Sequence, residues 1–506
     1  MDSPKAKATA LVADLSTFPI QPEALQLIPE SIARKYDVMP LAVANNTLLV
    51  AMTEVDNILA LEALVAKARM RVKAVRAPVE EIRASIDRNY KSYGEIEKQF
   101  SPGASSESTP AKAKAVLEDV SGAPVVRALQ LIIEEAVKKR ASDIHIEPQG
   151  DKLRIRYRID GVMHDTMTLP LSAHTPLISR LKIVAKLNIA EHGPQDGQFS
   201  IKVRDREIDI RVATTETIYG EMSVLRILDK TATALQLSQV GFLPSSLTRF
   251  EKILKASFGM ILVCGPTGSG KTTTLYAAIN SLDCKARKII TIEDPIEYKF
   301  ADINQIQVNP RAGITFANGL RSIMRLDPDV ILVGEIRDAE TAQIAVQAAL
   351  TGHLVLSSVH ANDAVSAIYR LLDLGVERYL IPAAVIGVVS QRILRRVCPH
   401  CAHPAPAPLA SQLAYFNEMN EMQMEFLYGS GCNACAKTGY LGRTAVFEIL
   451  SMSHDLKSSL FNGASQDEMW NKAVEAGMVS MWHDGMLKVK DGLTTPCEVL
   501  RTTFSI

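Results

Sequence analysis

Ile261-Leu262-Val263-Cys264-Gly265-Pro266-Thr267-Gly268-Ser269-Gly270-Lys271-Thr272-Thr273-Thr274 decides the fold of this chain. An apolar run of the kind that forms a buried strand enters a glycine-rich turn. The turn ends in Lys-Thr at the head of a helical segment, Thr274 to Leu282. Gly265 to Thr272 fits G-x-x-x-x-G-K-[ST], the phosphate-binding loop. Glycines let the backbone curl until successive N–H groups point inward at phosphate oxygens. The helix start adds its own N–H groups and the positive end of its dipole. Lys271 has the reach for the β- and γ-phosphates, and the Thr272 hydroxyl is placed to ligate Mg2+. A chance glycine-rich loop would lack the strand before it and the helix after it. The stretch predicts a nucleoside triphosphate held by Gly265, Pro266, Thr267, Gly268, Ser269, Gly270, Lys271, Thr272 and Thr273.

Outward from this loop, strand and helix signals alternate from about residue 236. Strands are expected at 260–264, 288–293, 330–334 and 354–359 with helices between them. The fold class is α/β, a largely parallel sheet of the RecA-like P-loop type with its site at the strand C-termini. Each later strand delivers polar chemistry. Ile289-Ile-Thr-Ile-Glu293-Asp294-Pro295-Ile-Glu297 puts three carboxylates in a proline-containing turn, and Val330-Ile-Leu-Val-Gly334-Glu335 delivers one acid. Solvated turn acids are common, but two sets at successive strand ends of a P-loop sheet can hold Mg2+ or orient an attacking water. Thr351-Gly-His353 to His360-Ala-Asn-Asp363 places two histidines on either side of a strand. A lone histidine is usually structural; this pair is expected to sense the γ-phosphate by hydrogen bonding. Arg321 and Arg325 precede Asp327-Pro-Asp329 and are candidates for a finger on a neighbouring subunit's phosphate.

Seven cysteines divide cleanly. Cys264, Cys284 and Cys497 are scattered and read as small buried hydrophobes. Cys398-x-x-Cys401 and Cys432-x-x-Cys435 are paired knuckles, which in a cytosolic chain indicate metal rather than disulfides. Four thiolates suit a closed tetrahedral structural Zn2+ with no open catalytic position. The Pro/Ala- and Met-rich stretch between the knuckles reads as an inserted finger.

Upstream, residues 1–92 form a small α/β docking or regulatory module. Leu41–Met52 is a hairpin around Asn45-Asn46, followed by a helix with Ile58, Leu61, Leu64, Val65 and Ala68 on one face and a helix from Val79 to Tyr90. Residues 93–118, rich in Ser, Pro and Ala, are a flexible linker. A second, α+β domain spans 119–235, and the ATPase domain 236–506 carries the zinc insertion 398–435. In the second domain Leu153-Arg-Ile-Arg-Tyr-Arg-Ile-Asp160 alternates, so Arg154, Arg156 and Arg158 share one face. Asp160-Gly161 signals a hairpin turn. A helix is expected at 176–190, with strands at 207–214 and 222–228. Lys+Arg and Asp+Glu balance at 56 each and aromatics are 5%, which argues against a nucleic-acid partner. No apolar run reaches the ~20 residues that cross a bilayer, and there is no signal-peptide pattern, so a cytoplasmic location is expected.

Taken together, these residues resemble the secretion ATPase superfamily, most closely the type II secretion and type IV pilus assembly ATPases. Ala141-Ser-Asp-Ile-His-Ile-Glu-Pro148 and Gly193-Pro-Gln-Asp-Gly197 look like signatures of that family's second domain. Thr291–Glu297 looks like its aspartate box, Gly334-Glu-Ile-Arg-Asp338 its Walker B region and Gly352–Asp363 its histidine box. The tetracysteine insertion is similar to that of the assembly branch. The resemblance implies an ATP hydrolase using Mg2+ and a ring-shaped homo-hexamer. It implies nucleotide bound between the second domain and the core, with Arg211 and Arg226 approaching from the former. Glu335 would be the Walker B acid, and Glu293 or Glu297 the general base. The implied partners are an inner-membrane platform protein and a cytoplasmic membrane-anchor protein docked on the N-terminal domain, which would hold the chain peripherally at that membrane. Where the family has arginines around Pro194–Gly197, this chain has Glu191, His192 and Gln198; Arg-Gln-Asp-Pro-Asp reads Arg325-Leu-Asp-Pro-Asp329. The N-terminal stretch resembles the second half of a module that binds cyclic di-GMP in some relatives, without its Arg-Leu-Gly opening, so that ligand is not expected. Two other classes stay in view: a nucleic-acid-translocating motor on the same core, and a nucleotide-gated scaffold, which the intact Lys271, Thr272 and Glu335 disfavour.

Overall fold

A computed structural model describes residues 15, 20, 22–44, 46–83, 85–86, 123–203, 206–229 and 235–503. The linker expected at 93–118 lies outside the described residues. Two compact units form: Met1–Lys230 with Ser430–Gly439, and Thr231–Gly429 with Tyr440–Ile506. Among the described residues no helix is long and apolar enough to cross a membrane.

In the first unit, β1 (Val38–Ala44) and β2 (Thr47–Met52) pair antiparallel, and β3 (Arg71–Arg76) joins β2 in parallel. Asn46 takes φ 57°, the left-handed turn conformation that asparagine tolerates. The intervening helix Ile58–Ala68 is capped by Asn57, whose side chain accepts from Ala60 N. Its buried row is Ala60, Leu64 and Ala68, while Ile58 is 69% and Val65 44% exposed. Leu61, Leu64 and Ala68 of the expected face pack on the core together with Ala60, and Ile58 and Val65 at its margins are left in solvent. Residues 79–83 and 85–86 are helical, and the rest of the helix expected to Tyr90 lies outside the described residues.

The second domain is a six-stranded antiparallel sheet under the helices Ala123–Lys138 and His174–Val184. Its strands are β4 (Ala141–Pro148), β5 (Lys152–Ile159), β6 (Val162–Pro170), β7 (Gln195–Val203), β8 (Arg206–Thr217) and β9 (Gly220–Asp229), in the order β6-β5-β4-β9-β8-β7. Asp160 and Gly161 both take positive φ, as a tight hairpin turn requires. The alternation of β5 is observed: Leu153, Ile155, Tyr157 and Ile159 are buried. The Tyr157 hydroxyl donates to Ile132 O at 2.8 Å, which satisfies it beneath the first helix. The helix expected at 176–190 ends at Val184, where Lys186 turns left-handed.

The core of the second unit is a seven-stranded sheet. Its strands are β10 (Gly259–Cys264), β11 (Ile289–Glu293), β12 (Asn304–Gln307), β13 (Val330–Val333), β14 (Leu354–Val359) and β15 (Val385–Val397). A small hairpin, β16 (Ala402–Pro406) with β17 (Glu425–Gly429), precedes the last core strand, β18 (Tyr440–Ser451). The order is β12-β11-β13-β14-β10-β15-β18, parallel except for β18. The four expected strands are present, and the sheet is of the expected mixed α/β type. β10, β11, β13 and β14 are buried along their whole length, which explains their near-continuous apolar reading. The insertion is β16, the helix Leu409–Met419 and β17, and the ladder Ala402↔Gly429 closes it beside both knuckles.

Candidate active site

The phosphate loop leaves β10 at Gly265 (φ 146°) and passes Gly268 (79°) and Gly270 (85°). Gly265 has no room for a side chain: an added Cβ would lie 2.5 Å from Gln391 O and 2.6 Å from Ser269 Oγ. Gln391, buried on the neighbouring β15, also donates from Nε2 to Ser269 O at 2.5 Å. The loop is thus braced from behind. Its helix, Lys271–Asn280, starts at a left-handed Gly270 with no side-chain cap, so the first-turn N–H groups point to the loop's mouth. Lys271 Nζ donates to Gly265 O (2.9 Å) and Pro266 O (3.1 Å). Burial lowers its pKa, and the neighbouring Cys264 and Glu335 oppose the shift. Thr272 is exposed and Thr273 half-buried at the helix start. Ser269 Oγ is buried on the loop without a protein partner, an orphan polar atom that a bound phosphate would satisfy. These residues fit a nucleotide.

Register along the sheet sorts the remaining candidates. Cys264 pairs with Val359, and Val333 pairs with Ser357 and Ile292. Glu293, Glu335 and His360 therefore emerge at the same, C-terminal edge as Gly265. Glu335 is paired with Arg337, and its other oxygen lies 3.7 Å from His360 Nε2. The segment carrying it is fixed by Ser358 Oγ donating to Gly334 O (2.8 Å) and Ile336 N donating to Ser358 O (2.9 Å). His353 is not brought to this edge. It precedes Leu354, the register partner of Gly259, about 17 Å of strand away from Val359. Its Nδ1 pairs with Ala348 O (2.9 Å) at the end of the helix Ala339–Leu350. Of the two histidines expected to sense phosphate, the structure brings His360 to this edge and leaves His353 at the opposite one, because they flank a strand that runs the length of the sheet.

The two candidate base carboxylates differ. Glu293 is 3% exposed and accepts from the Tyr276 hydroxyl, from Thr291 Oγ1 (2.6 Å) and from Gln305 Nε2 (3.1 Å). Glu297 is half-buried on the following turn, and its N–H donates to the Tyr276 hydroxyl at 3.3 Å. Arg321 pairs with Glu340 at 2.6 Å, and Arg325 is exposed.

In the second domain the arginine face is a row of ion pairs. Arg154 meets Asp165 (2.6 Å), Arg156 meets Glu147 (2.6 Å), and Asp143 is shared by Arg158 (3.6 Å) and Arg226 (3.2 Å). Arg211 and Arg226 are register partners on β8 and β9, and Arg226 is 63% exposed.

The sulfurs of Cys398, Cys401, Cys432 and Cys435 all lie within 4.8 Å of one another. Cys432 Sγ and Cys435 Sγ are 3.7 Å apart. A tetrahedral zinc with bonds of about 2.3 Å needs sulfurs about 3.8 Å apart, so the donor set fits that ion. Cys264 is buried and its thiol pKa is pushed up to about 12 by burial, as expected of a small core residue. Cys284 and Cys497 are half-buried.

Tyr276 and Gln391, which brace Glu293 and the phosphate loop, stand in no recognisable sequence motif. Gln391 alone of the two has a sequence signal: Ser390-Gln391 is a polar pair directly after the apolar run Val385–Val389.

The family model for type II/IV secretion system proteins matches residues 118–501, and that of the MshEN domain matches residues 10–95. The type IV pilus assembly ATPase PilB of Myxococcus xanthus is 41% identical over 499 residues, covering 97% of this chain and 88% of that protein. Type II secretion system protein E of Xanthomonas campestris pv. campestris is 45% identical over 392 residues, covering 77% and 69%. Among solved structures, the pilus retraction motor PilT with bound ADP superposes with a TM-score of 0.50 at 27% identity, over 74% of this chain and 96% of that one. The DotB ATPase of Legionella pneumophila shares the fold, with a TM-score of 0.55 at 22% identity over 78% and 96%. With its P-loop, strand-end acids and match over most of its length, this chain is an ATP-hydrolysing enzyme and belongs to the type II/IV secretion system ATPase family.

Proposed function

We propose that the chain is a cytoplasmic, hexameric motor that spends ATP to assemble a type IV pilus or a type II secretion pseudopilus through an inner-membrane platform protein. One observation carries the reading: Lys271, Glu335, His360 and the turn 294–297 converge at one edge of one parallel sheet. Lys271 and the loop amides grip the β- and γ-phosphates. Thr272 and Glu335 would hold Mg2+, which would supply charge neutralisation at those oxygens. Glu297 takes a proton from the attacking water as the γ-phosphoryl passes to it, giving ADP and phosphate. His360, beside Glu335, reports on the γ-phosphate. Glu293 is the weaker candidate for base because three donors already occupy its carboxylate.

Arg211 and Arg226 would complete the site from the second domain, which makes nucleotide state a signal that domain can feel. Arg321 or Arg325 would act across a subunit boundary. The tetracysteine cluster would hold one structural zinc, and the N-terminal domain would dock on a membrane-anchor protein. Lys271→Ala tests the core of this reading. It is expected to lose phosphate release by about 10²-fold or more and to leave cells without fibres or secretion. Normal fibre assembly by that variant would refute it.

A further inference from the structure

Tyr276 stands on the same helix as Lys271, one and a half turns on, with its ring packed edge-on against Tyr298 (5.9 Å) and Phe300 (5.0 Å). Its hydroxyl reaches out of that cluster and makes two bonds. It donates to Glu293 at the end of β11, and it accepts from Glu297 N at 3.3 Å on the turn beyond. Glu293 is itself closed in by Thr291 Oγ1 and Gln305 Nε2. Gln305 spans onward, donating to Tyr298 O (2.9 Å) and accepting from Phe300 N (2.9 Å). The hydroxyl both donates and accepts, and the ring is fixed by aromatic contacts. Such a network holds its members in one arrangement.

We propose that Tyr276 and Glu293 are positioning residues: their contact fixes the turn 294–297 against the phosphate-gripping helix, so that Glu297 stands within reach of a water in line with the γ-phosphate. This rests on the reading of Glu297 as the base and gives Glu293 a different duty. Burial, reinforced by the bond to Glu293, raises the Tyr276 pKa and keeps it a phenol, a proton donor toward Glu293 throughout the working pH range. A carboxylate that accepts a phenol and a threonine hydroxyl has little capacity left for a water's proton. A carboxylate held by its backbone to the same phenol has a defined place. Misplacement of a reacting group by about 1 Å costs about 10²-fold in rate, so the strut bears on turnover without touching substrate.

Four variants of the full chain decide this, each measured for ATP turnover, nucleotide affinity and thermal midpoint. Tyr276→Phe keeps the ring and loses the bonds; kcat should fall about tenfold to hundredfold with KM and nucleotide affinity within about threefold. Glu293→Gln keeps a bond to each hydroxyl, its oxygen accepting from Thr291 and its amide N–H donating to Tyr276, and should lose less than about tenfold, whereas Glu293→Ala should lose about hundredfold. Glu297→Gln should lose about 10²- to 10⁴-fold, the contribution of a general base. Tyr276→Phe turning over normally while Glu297→Gln is dead overturns the strut and leaves the base assignment standing. Glu293→Gln as inactive as Glu297→Gln also overturns it, because an amide can position but cannot take a proton. An active Glu297→Gln instead sinks the base assignment on which the strut depends. Should Tyr276→Phe not fold, the Gln/Ala pair at position 293 decides alone.

Discussion

Gly265→Ala is the most local way to break the site, and its cost can be worked from the backbone. At φ 146° an L side chain is strained, and leaving the favoured basins costs about 1–2 kcal/mol. The added Cβ would lie 2.5 Å from Gln391 O, whereas carbon–oxygen contacts begin near about 3.3 Å. Loop or strand must therefore give by about 0.8 Å. The strand cannot move cheaply, since β15 is hydrogen-bonded to β10 on one side and β18 on the other and Gln391 is buried. The loop moves instead, and its amide cradle shifts by most of that distance. Turnover should fall by about 10²-fold, with a clear loss of nucleotide affinity. Gly268→Ala is the control. Its φ is 79°, but nothing lies within 4 Å of an added Cβ, so only the backbone term applies, about thirtyfold at most. Fluorescent-nucleotide titration and phosphate release, with the thermal midpoint as a fold check, separate the two. Gly265→Ala binding nucleotide within about threefold of the unaltered chain, or Gly268→Ala proving the worse of the pair, refutes the steric argument.

Three further perturbations follow from buried polar groups. Cys398→Ser should release zinc and lower the thermal midpoint of the C-terminal half, as loss of a structural ion does; metal content unchanged by elemental analysis would show that the four sulfurs are not the ligands. Glu448, 1% exposed and accepting Ala364 N at 2.7 Å, has its pKa raised by burial to about 7, against an ordinary 4.5. The folded chain then binds the extra proton between those values, so stability falls as pH rises from 4.5 to about 7. Glu448→Gln should remove that slope, worth about 3 kcal/mol, and thermal midpoints that decline equally with pH in both proteins would refute it. Lys488 and Asp484 form a 2.6 Å pair, 2% and 0% exposed, one turn apart on a helix. Lys488→Met strands the carboxylate and should cost about 3–5 kcal/mol in denaturant unfolding, whereas Lys488→Met with Asp484→Leu should recover most of it.

The parts of the molecule legible in the sequence are those where one local pattern dictates both structure and chemistry. Gly265–Thr272 needs positive φ at fixed places, so the glycines announce the loop. Val330–Val333 is apolar throughout because it is buried on both faces, so the acid that ends it stands out. The knuckles are visible because two cysteines at i and i+3 have few other uses. β7 is harder to read because it is a half-exposed edge strand whose apolar alternation is confined to Phe199, Ile201 and Val203, while its first half, Gln195-Asp-Gly-Gln198, has the composition of a turn.

The histidines fail differently. His353 and His360 look equivalent because sequence gives their spacing but not the direction in which the strand between them crosses the sheet. Once β14 runs parallel to β10, the residue after the strand must join the phosphate loop and the residue before it must leave. The same logic selects among the carboxylates. Glu293 is the last residue of its strand and bonds to a tyrosine on the helix beside it, whereas Glu297, beyond the turn, has left the sheet and on the proposed reading serves the nucleotide. In a parallel sheet, position relative to the strand's end divides the residues that brace a site from those that serve it. That division needs the register, which no single stretch of sequence contains.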